Sequence, residues 1–370
     1  MADQFWKRRV LVTGHTGFKG GWLAVWLREL GAQVSGYALA PESSGGIFSA
    51  CELEGVIDSR LGDIRDRERL RGAFEECQPE IVFHLAAQPL VRRSYHEPLA
   101  TLETNVIGTA NVLEAVRHTP SVRAVVVVTS DKCYENPEKA RAFRERDKLG
   151  GADPYSASKG SAEIVAHAWR RSFLENHDPP IELATARAGN VIGGGDFAED
   201  RIVPDAIHAF SHDQVLCVRN PGAIRPWQHV LEPLSGYLAL ARALIDRGRK
   251  FSGAWNFGPQ DSAAATVAQL VELMSEAWGG ARWRVQPAAD GLAEARMLRL
   301  DTAKARKRLG WRPRLSLREA VDLTIEWYRA ALTVRGPRLY DLSVEQIRRY
   351  CQIGENATPD ARPSAQAPWP

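Results

Sequence analysis

The chain has 370 residues, 44 % of them hydrophobic and 25 % charged, with a formal net charge of +3. That length suits one large α/β enzyme or two modest domains and is ample for a buried core. The near-neutral charge and the lack of a dense basic run exclude a nucleic-acid surface, and no apolar stretch approaches a membrane span. The start, M-A-D-Q-F-W-K-R-R-V, is charged and has no apolar signal core. Five cysteines, Cys51, Cys77, Cys133, Cys217 and Cys351, show no C-x-x-C pairing, so the reading is reduced thiols in a cytoplasmic setting, with no zinc or other metal site.

Along the chain, short β-branched apolar runs alternate with helix-length amphipathic segments. That alternation predicts an α/β fold, a Rossmann-type doubly wound parallel sheet with a smaller C-terminal substrate-binding lobe. The first strand, R-V-L-V-T from Arg9, runs into Thr13-Gly14-His15-Thr16-Gly17-Phe18-Lys19-Gly20, and an apolar helix is expected from about Trp22. Glycines 14, 17 and 20 let the turn through Thr16 and Phe18 approach a pyrophosphate, whose charge meets amides at the helix N-terminus. The second strand, Q-V-S-G-Y from Gln33, ends in G-Y-A-L-A-P without a ribose-binding acid; Glu42 is the nearest. No Lys or Arg stands between Arg28 and Arg60 to neutralise a 2′-phosphate, which favours NAD over NADP. Gly62-Asp63-Ile64 is placed to hold the adenine edge, or is simply an acidic turn.

Further strands are expected at I-V-F-H-L from Ile81, A-V-V-V-V-T from Ala124 and I-E-L-A-T-A-R from Ile181. In D-P-Y-S-A-S-K, Asp153 can cap a helix with Pro154 in its first turn, which sets Tyr155 and Lys159 on one face. An ammonium there favours a phenolate, making a general base of a group otherwise near pKa 10. From Gly193-Gly194-Gly195 the texture changes: strands become sparse among Pro and Trp. Residues 1–192 therefore read as the dinucleotide domain and 193–354 mainly as the second lobe. The chain crosses back near 225–260, where Trp255-Asn256-Phe257-Gly258 suggests another short strand. The basic runs near 304–314 read as a solvated helix and loop, and 355–370 as a disordered tail.

Thr13 to Gly20, Leu85-Ala86-Ala87 and Tyr155 with Lys159 resemble the extended short-chain dehydrogenase/reductase superfamily, whose members mostly act on nucleotide sugars. Within it the chain is similar, from about Val10 to Tyr328, to the CDP-glucose 4,6-dehydratases. The specific stretches are H-L-A-A-Q-P-L-V-R from His84, T-N-V-I-G-T from Thr104, T-S-D-K-C-Y from Thr129, R-A-G-N-V-I-G-G-G-D from Arg187 and R-P-W-Q-H-V from Arg225. The resemblance implies conversion of CDP-D-glucose to CDP-4-keto-6-deoxy-D-glucose and water, with hydride passed from C4 to NAD and back to C6. It implies that Tyr155, assisted by Lys159 and Ser130, takes the C4 hydroxyl proton. Asp131 would be the acid at C6, and Lys132 the base at C5, where the related dTDP-glucose enzymes carry an Asp-Glu pair; Lys132 would need burial or a neighbouring cation to lose its proton. Cofactor contacts are implied at Gly14, Thr16, Gly17, Phe18, Gly20, Asp63, Ile64, Leu85, Ala86, Ala87, Thr104, Thr129, Tyr155 and Lys159. Nucleotide-sugar contacts are implied at Gln88, Asn190, Arg201, Arg219, Arg225 and His229, although any one arginine can equally be a structural ion pair and His229 a core histidine.

Two alternatives stay open: a 4,6-dehydratase or 4-epimerase of another nucleotide sugar, and a non-catalytic NAD-binding regulator. The intact Tyr155, Lys159, Asp131 and Lys132 argue against the regulator. The resemblance also implies a homo-oligomer, dimer or tetramer, built on the helix bearing Tyr155 and the one after Leu99; Ile164, Val165 and Trp169 are apolar enough for interface or core.

Overall fold

In the computed structural model, which describes residues 2–136, 141–259, 264–286 and 298–356, seven parallel strands make one sheet. They are β1 (Arg9–Thr13), β2 (Gln33–Ala38), β3 (Asp58–Leu61), β4 (Ile81–His84), β5 (Ala124–Val128), β6 (Glu182–Arg187) and the strand Gly253–Asn256. The spatial order is Gly253–Asn256, β6, β5, β4, β1, β2, β3. The order reverses between β1 and β4, which pair with Val10 opposite Ile81 and Thr13 opposite His84. Ligands of doubly wound folds bind outside the carboxyl ends of the strands at such a reversal. The Thr13 hydroxyl and His84 Nδ1 lie 2.7 Å apart and tie the two strand ends together there.

The central strands are buried on both faces because helices cover both sides of a parallel sheet. In β5 every residue of A-V-V-V-V is buried, so the strand shows no polar alternation. One large core cluster holds Trp22, Trp26, Trp255 and Trp327, and a second, on the other face, centres on Phe74, Leu113 and Val125. At full burial each such large apolar side chain is worth about 1.5–3 kcal/mol.

Several expectations shift. The helix after the glycine turn spans Phe18–Glu29, starting four residues before Trp22, because Gly17 serves as its N-cap and the last third of the motif is already helical. Strand β3 was not foreseen: D-S-R-L is polar, and at the sheet edge its pattern is exposed or half-buried. The returning strand runs Gly253–Asn256, so Phe257 and Gly258 follow it. The basic segment near 304–314 is not simply solvated. Lys304 sits 4.1 Å from the centre of the Trp255 ring and donates to the Ala254 carbonyl, while Arg314 donates to the carbonyls of Tyr350 and Cys351. The last helix, Pro337–Asn356, takes in Glu355 and Asn356, which had been placed in the tail; 357–370 lie outside the described residues.

From Val191 onward, three two-stranded ladders appear among the described residues. Val191–Ile192 pairs with Gln228–His229, Ile224–Pro226 with Ala264–Thr266, and Leu216–Val218 with Trp283–Val285. All are two or three residues long, which accounts for the sparse strand signal there.

Candidate active site

The glycine turn lies between β1 and the helix Phe18–Glu29. Gly14 has φ +78°, and a Cβ there would stand 2.7 Å from the Ala86 amide nitrogen, so only glycine lets this turn touch the end of β4. No side chain caps the helix at Gly17, which leaves its first amides for an anion. Leu85, Ala86 and Ala87 are half-buried on the other side of the turn. A cradle with bare helix amides and no room for a Cβ fits a dinucleotide pyrophosphate.

Other cofactor-side residues are engaged within the chain. The Thr16 hydroxyl donates to the Leu39 carbonyl at 2.9 Å, which ties the turn to the end of β2. The Asp63 carboxylate is gripped by the Arg65 guanidinium and amide and is held below its usual range by that hydrogen bonding. Ile64 is buried in the second core cluster, and Thr104 is half-buried in the turn Glu103–Ile107. Thr129 donates its hydroxyl to Glu163, so its side chain serves that carboxylate. Glu42 lies 3.5 Å from Arg93, so a cation remote in sequence does stand near the end of β2.

The helix Pro154–Trp169 begins as expected: Asp153 accepts from the Ser156 amide at 2.9 Å, and Tyr155 and Lys159 are both buried on one side. The electrostatics differ from the expectation. Burial pushes the Tyr155 phenol up to about 12, with the Asp131 carboxylate adding to it; a Ser130 hydrogen bond and the Arg201 charge pull against this without prevailing. The phenol therefore rises where an ammonium four residues on was expected to lower it. Burial brings Lys159 down to about 8, opposed by the carboxylate of Glu163 one turn further along. Glu163 is itself buried with Arg187, at 2.7 Å, and accepts from Thr185; the guanidinium and hydroxyls hold its carboxyl below the usual range although burial pushes it up.

Strand β5 ends at Val128, and after Thr129 the chain enters a short turn, Asp131–Cys133, capped by the Ser130 hydroxyl. That hydroxyl donates to Asp131 Oδ1 at 2.9 Å and accepts from the Lys132 amide at 3.2 Å. Asp131 is 4 % exposed, and Gly189 makes room for it: a Cβ at 189 would stand 2.0 Å from Asp131 Oδ2. Asn190, at φ +52°, points its amide at the same carboxylate across 3.5 Å. Lys132 is half-buried, and its ammonium has no hydrogen bond or ion pair among the described residues.

The remaining substrate candidates divide. Arg201, N-cap of the helix Ile202–Ser211, is paired with Asp196 at 2.7 Å and acts electrostatically on Tyr155 and Lys19, so it belongs to the pocket. Arg219 is exposed and bonds Asp200 at 3.1 Å; Arg225 is half-buried and donates to the Ile224 carbonyl. Gln88 has both ends of its amide in use, donating to Thr101 and accepting from the Leu90 amide, so it braces the loop after β4. His229 is fully buried, edge-on to Trp22, and burial lowers it to about 3; it is a neutral core histidine.

Two charged positions beside the candidate site are absent from the sequence reading. Glu163 continues the Tyr155–Lys159 stripe by one more step of four, a spacing visible in S-A-E-I-V. Lys19 stands in the glycine turn, and the signal was a lone cation between Phe18 and Gly20.

Among known proteins, the chain is 49 % identical over 353 residues, covering 94 % of it and 97 % of the relative, to CDP-glucose 4,6-dehydratase of Salmonella typhimurium. The solved UDP-glucose 4-epimerase of Thermotoga maritima, crystallised with UDP-glucose, is 26 % identical with a TM-score of 0.75, covering 87 % of this chain and 99 % of that one. MoeE5, solved with UDP-glucose and NAD, is 27 % identical with a TM-score of 0.72, covering 88 % and 99 %. The family model described as GDP-mannose 4,6 dehydratase matches residues 11–324, and the chain belongs to that family of nucleotide-sugar 4,6-dehydratases.

Proposed function

We propose that the protein converts CDP-D-glucose to CDP-4-keto-6-deoxy-D-glucose and water. The observation that carries this reading is the convergence of Tyr155, Lys159, Ser130 and Asp131 in one buried pocket beside the glycine turn, in a chain 49 % identical to a CDP-glucose 4,6-dehydratase. The turn Gly14–Gly20 and the half-buried Leu85–Ala87 would hold NAD, which when bound would supply a hydride acceptor for the sugar C4 and a hydride donor for C6. The Tyr155 phenol, hydrogen-bonded by Ser130, receives the C4 hydroxyl proton as its phenolate. A phenolate with so high a pKa is a strong base, and the Ser130 hydroxyl and the Arg201 charge are the groups that favour forming it, with Lys159 buried one turn further along the same helix. The resulting C4 carbonyl acidifies C5, whose proton passes to Lys132 and returns to C5 when hydride is delivered at C6. Asp131 gives a proton to the departing C6 hydroxyl, which leaves as water.

Arg201 is the arginine best placed for the diphosphate, since it already faces the catalytic groups. Arg219 and Arg225 are assigned to the nucleotide end. No helix among the described residues is long and apolar enough to cross a membrane, and none of the five cysteines is in a disulfide; both fit a cytoplasmic enzyme. Assembly is assigned to a second copy of the chain. Leu99 (73 % exposed), Ile107 and Ile164 (59 % exposed) leave a row of apolar side chains uncovered on the helices that the resemblance makes the interface.

The deciding experiment incubates purified protein with CDP-glucose and, in parallel, with dTDP-, UDP- and GDP-linked hexoses, following loss of one water by mass spectrometry. Water loss from CDP-glucose alone is expected. Water loss only from another nucleotide sugar would discard the CDP assignment, and no loss from any would discard the dehydratase.

A further inference from the structure

Two buried charges beside the site take no part in the proposed proton and hydride transfers. Glu163 is 4 % exposed and Arg187 3 %, and they pair through two parallel bonds: Arg187 Nε donates to Glu163 Oε1 at 2.9 Å and Nη2 to Oε2 at 2.7 Å. Thr129 donates to Oε1 and Thr185 to Oε2, so each carboxylate oxygen accepts two hydrogen bonds. On its far edge the guanidinium donates from Nη1 to the Tyr134 hydroxyl at 2.7 Å, and that hydroxyl donates to Asn256 Oδ1 at 2.7 Å. Desolvating two charges consumes much of their attraction, so stability alone does not call for an ion pair at this depth. The pair is set apart by the stretch of chain it holds. Thr129 and Tyr134 stand on either side of Ser130–Cys133, and each is bound to one half of the pair. The turn Asp131–Cys133 also seats closely on the helix Pro154–Trp169: a Cβ at Gly160, next to Lys159, would stand 3.3 Å from the Cys133 carbonyl oxygen. Arg187 ends β6 two residues before Gly189, which leaves room for the Asp131 carboxylate.

We propose that Glu163 and Arg187 are positioning residues for the proton transfers: their ion pair pins both ends of the segment that carries Ser130, Asp131 and Lys132 and sets it against Tyr155 and Lys159 on the helix that carries Glu163. The inference rests on the dehydratase reading for the reaction it serves. Ser130 follows Thr129 directly and its hydroxyl is bound to Asp131, so a segment freed at its ends shifts both groups together. A displacement of about 1 Å in reacting groups is enough to cost roughly a hundredfold in rate. Substrate affinity, which the proposed reading spreads over residues outside this segment, is not tied to the same bonds.

Removing either charge outright strands the other in the interior, so the test cuts the tethers instead. Thr129→Val with Tyr134→Phe removes both hydroxyls that hold the segment and leaves the ion pair in place. Thr185→Val deletes the matching hydrogen bond to the same carboxylate from within β6, away from the segment. For wild type, the double variant, Thr129→Val and Thr185→Val, kcat and KM for CDP-glucose are measured per bound NAD, together with hydrogen exchange of the peptide spanning Ser130–Tyr134. The double variant should lose about tenfold to a hundredfold in kcat with KM little changed, and its Ser130–Tyr134 amides should exchange faster. Thr129→Ser in place of Thr129→Val keeps the hydroxyl and should recover part of the lost kcat. Thr185→Val should keep the wild-type kcat and exchange, although its melting temperature falls like that of Thr129→Val. Unchanged kcat or unchanged exchange in the double variant, or a loss of kcat in Thr185→Val equal to that in Thr129→Val, overturns the assignment. If wild type turns over no nucleotide sugar, the dehydratase reading fails, and the exchange of the double variant against Thr185→Val still decides whether the pair holds the segment.

Discussion

Tyr155 works against its own setting: a phenol pushed up to about 12 is almost wholly protonated at neutral pH. The groups that oppose burial are the Ser130 hydroxyl and the Arg201 guanidinium, so base strength here depends on hydrogen bonding and charge arranged around one oxygen. Removing that oxygen leaves the glycine turn and the end of β4 untouched. Tyr155→Phe is expected to lower kcat by at least about a hundredfold, in line with the loss of one general base, while NAD remains bound at wild-type stoichiometry. Steady-state kinetics with a cofactor count on the purified variant checks this, and full turnover would remove Tyr155 from the proton transfer. The pair Tyr155 and Lys159 could be read directly in Y-S-A-S-K because a spacing of four on a capped helix fixes a shared face. The balance of burial against charge could not, because Asp131, Arg201 and Glu163 reach the pocket from elements that only the fold brings together.

At the scale of elements, the strands that could be read were those with two buried faces. A-V-V-V-V and R-V-L-V-T are continuous apolar runs because helices cover both sides of them. Strand β3 went unseen for the converse reason: D-S-R-L sits at the sheet edge, has no fully buried residue, and is held by its pairing with β2 rather than by apolar pattern. The glycine turn shows where element and site coincide. The contact between Gly14 and Ala86 joins the ends of β1 and β4 at the reversal of strand order, where the proposed cofactor cradle lies. Gly14→Ala combines a positive φ with a Cβ 2.7 Å from a backbone nitrogen, and neither can relax cheaply. The variant is expected to lose about 1–3 kcal/mol of stability and most of its NAD affinity; urea unfolding and NAD titration check the two parts, and wild-type NAD affinity would sink the cradle as drawn.

For the whole molecule, the helix Pro154–Trp169 has two working faces. Tyr155, Lys159 and Glu163 point inward, while Ile164 on the outer face is 59 % exposed. Leu99 at 73 % and Ile107 at 56 % extend that apolar surface onto neighbouring helices, which pack against this one. A chain with 25 % charged residues leaves such a row exposed to water at a cost, and a second copy offering the same row removes it from water on both sides. Full burial of a Leu or Ile side chain contributes about 1.5–3 kcal/mol, so a few of them, repeated by two-fold symmetry, suffice for micromolar association or better. Light scattering on the purified protein is expected to give a dimer or a tetramer. The double variant Leu99→Glu/Ile164→Glu places two like-charged pairs across the symmetric contact and should shift the mass toward monomer at the same concentration. Because Ile164 and Leu99 lie away from the inward stripe, the variant should keep its NAD site, and cofactor binding by the monomer distinguishes lost assembly from lost folding. A wild-type protein that runs as a monomer, or a double variant that keeps the wild-type mass, would place the interface elsewhere.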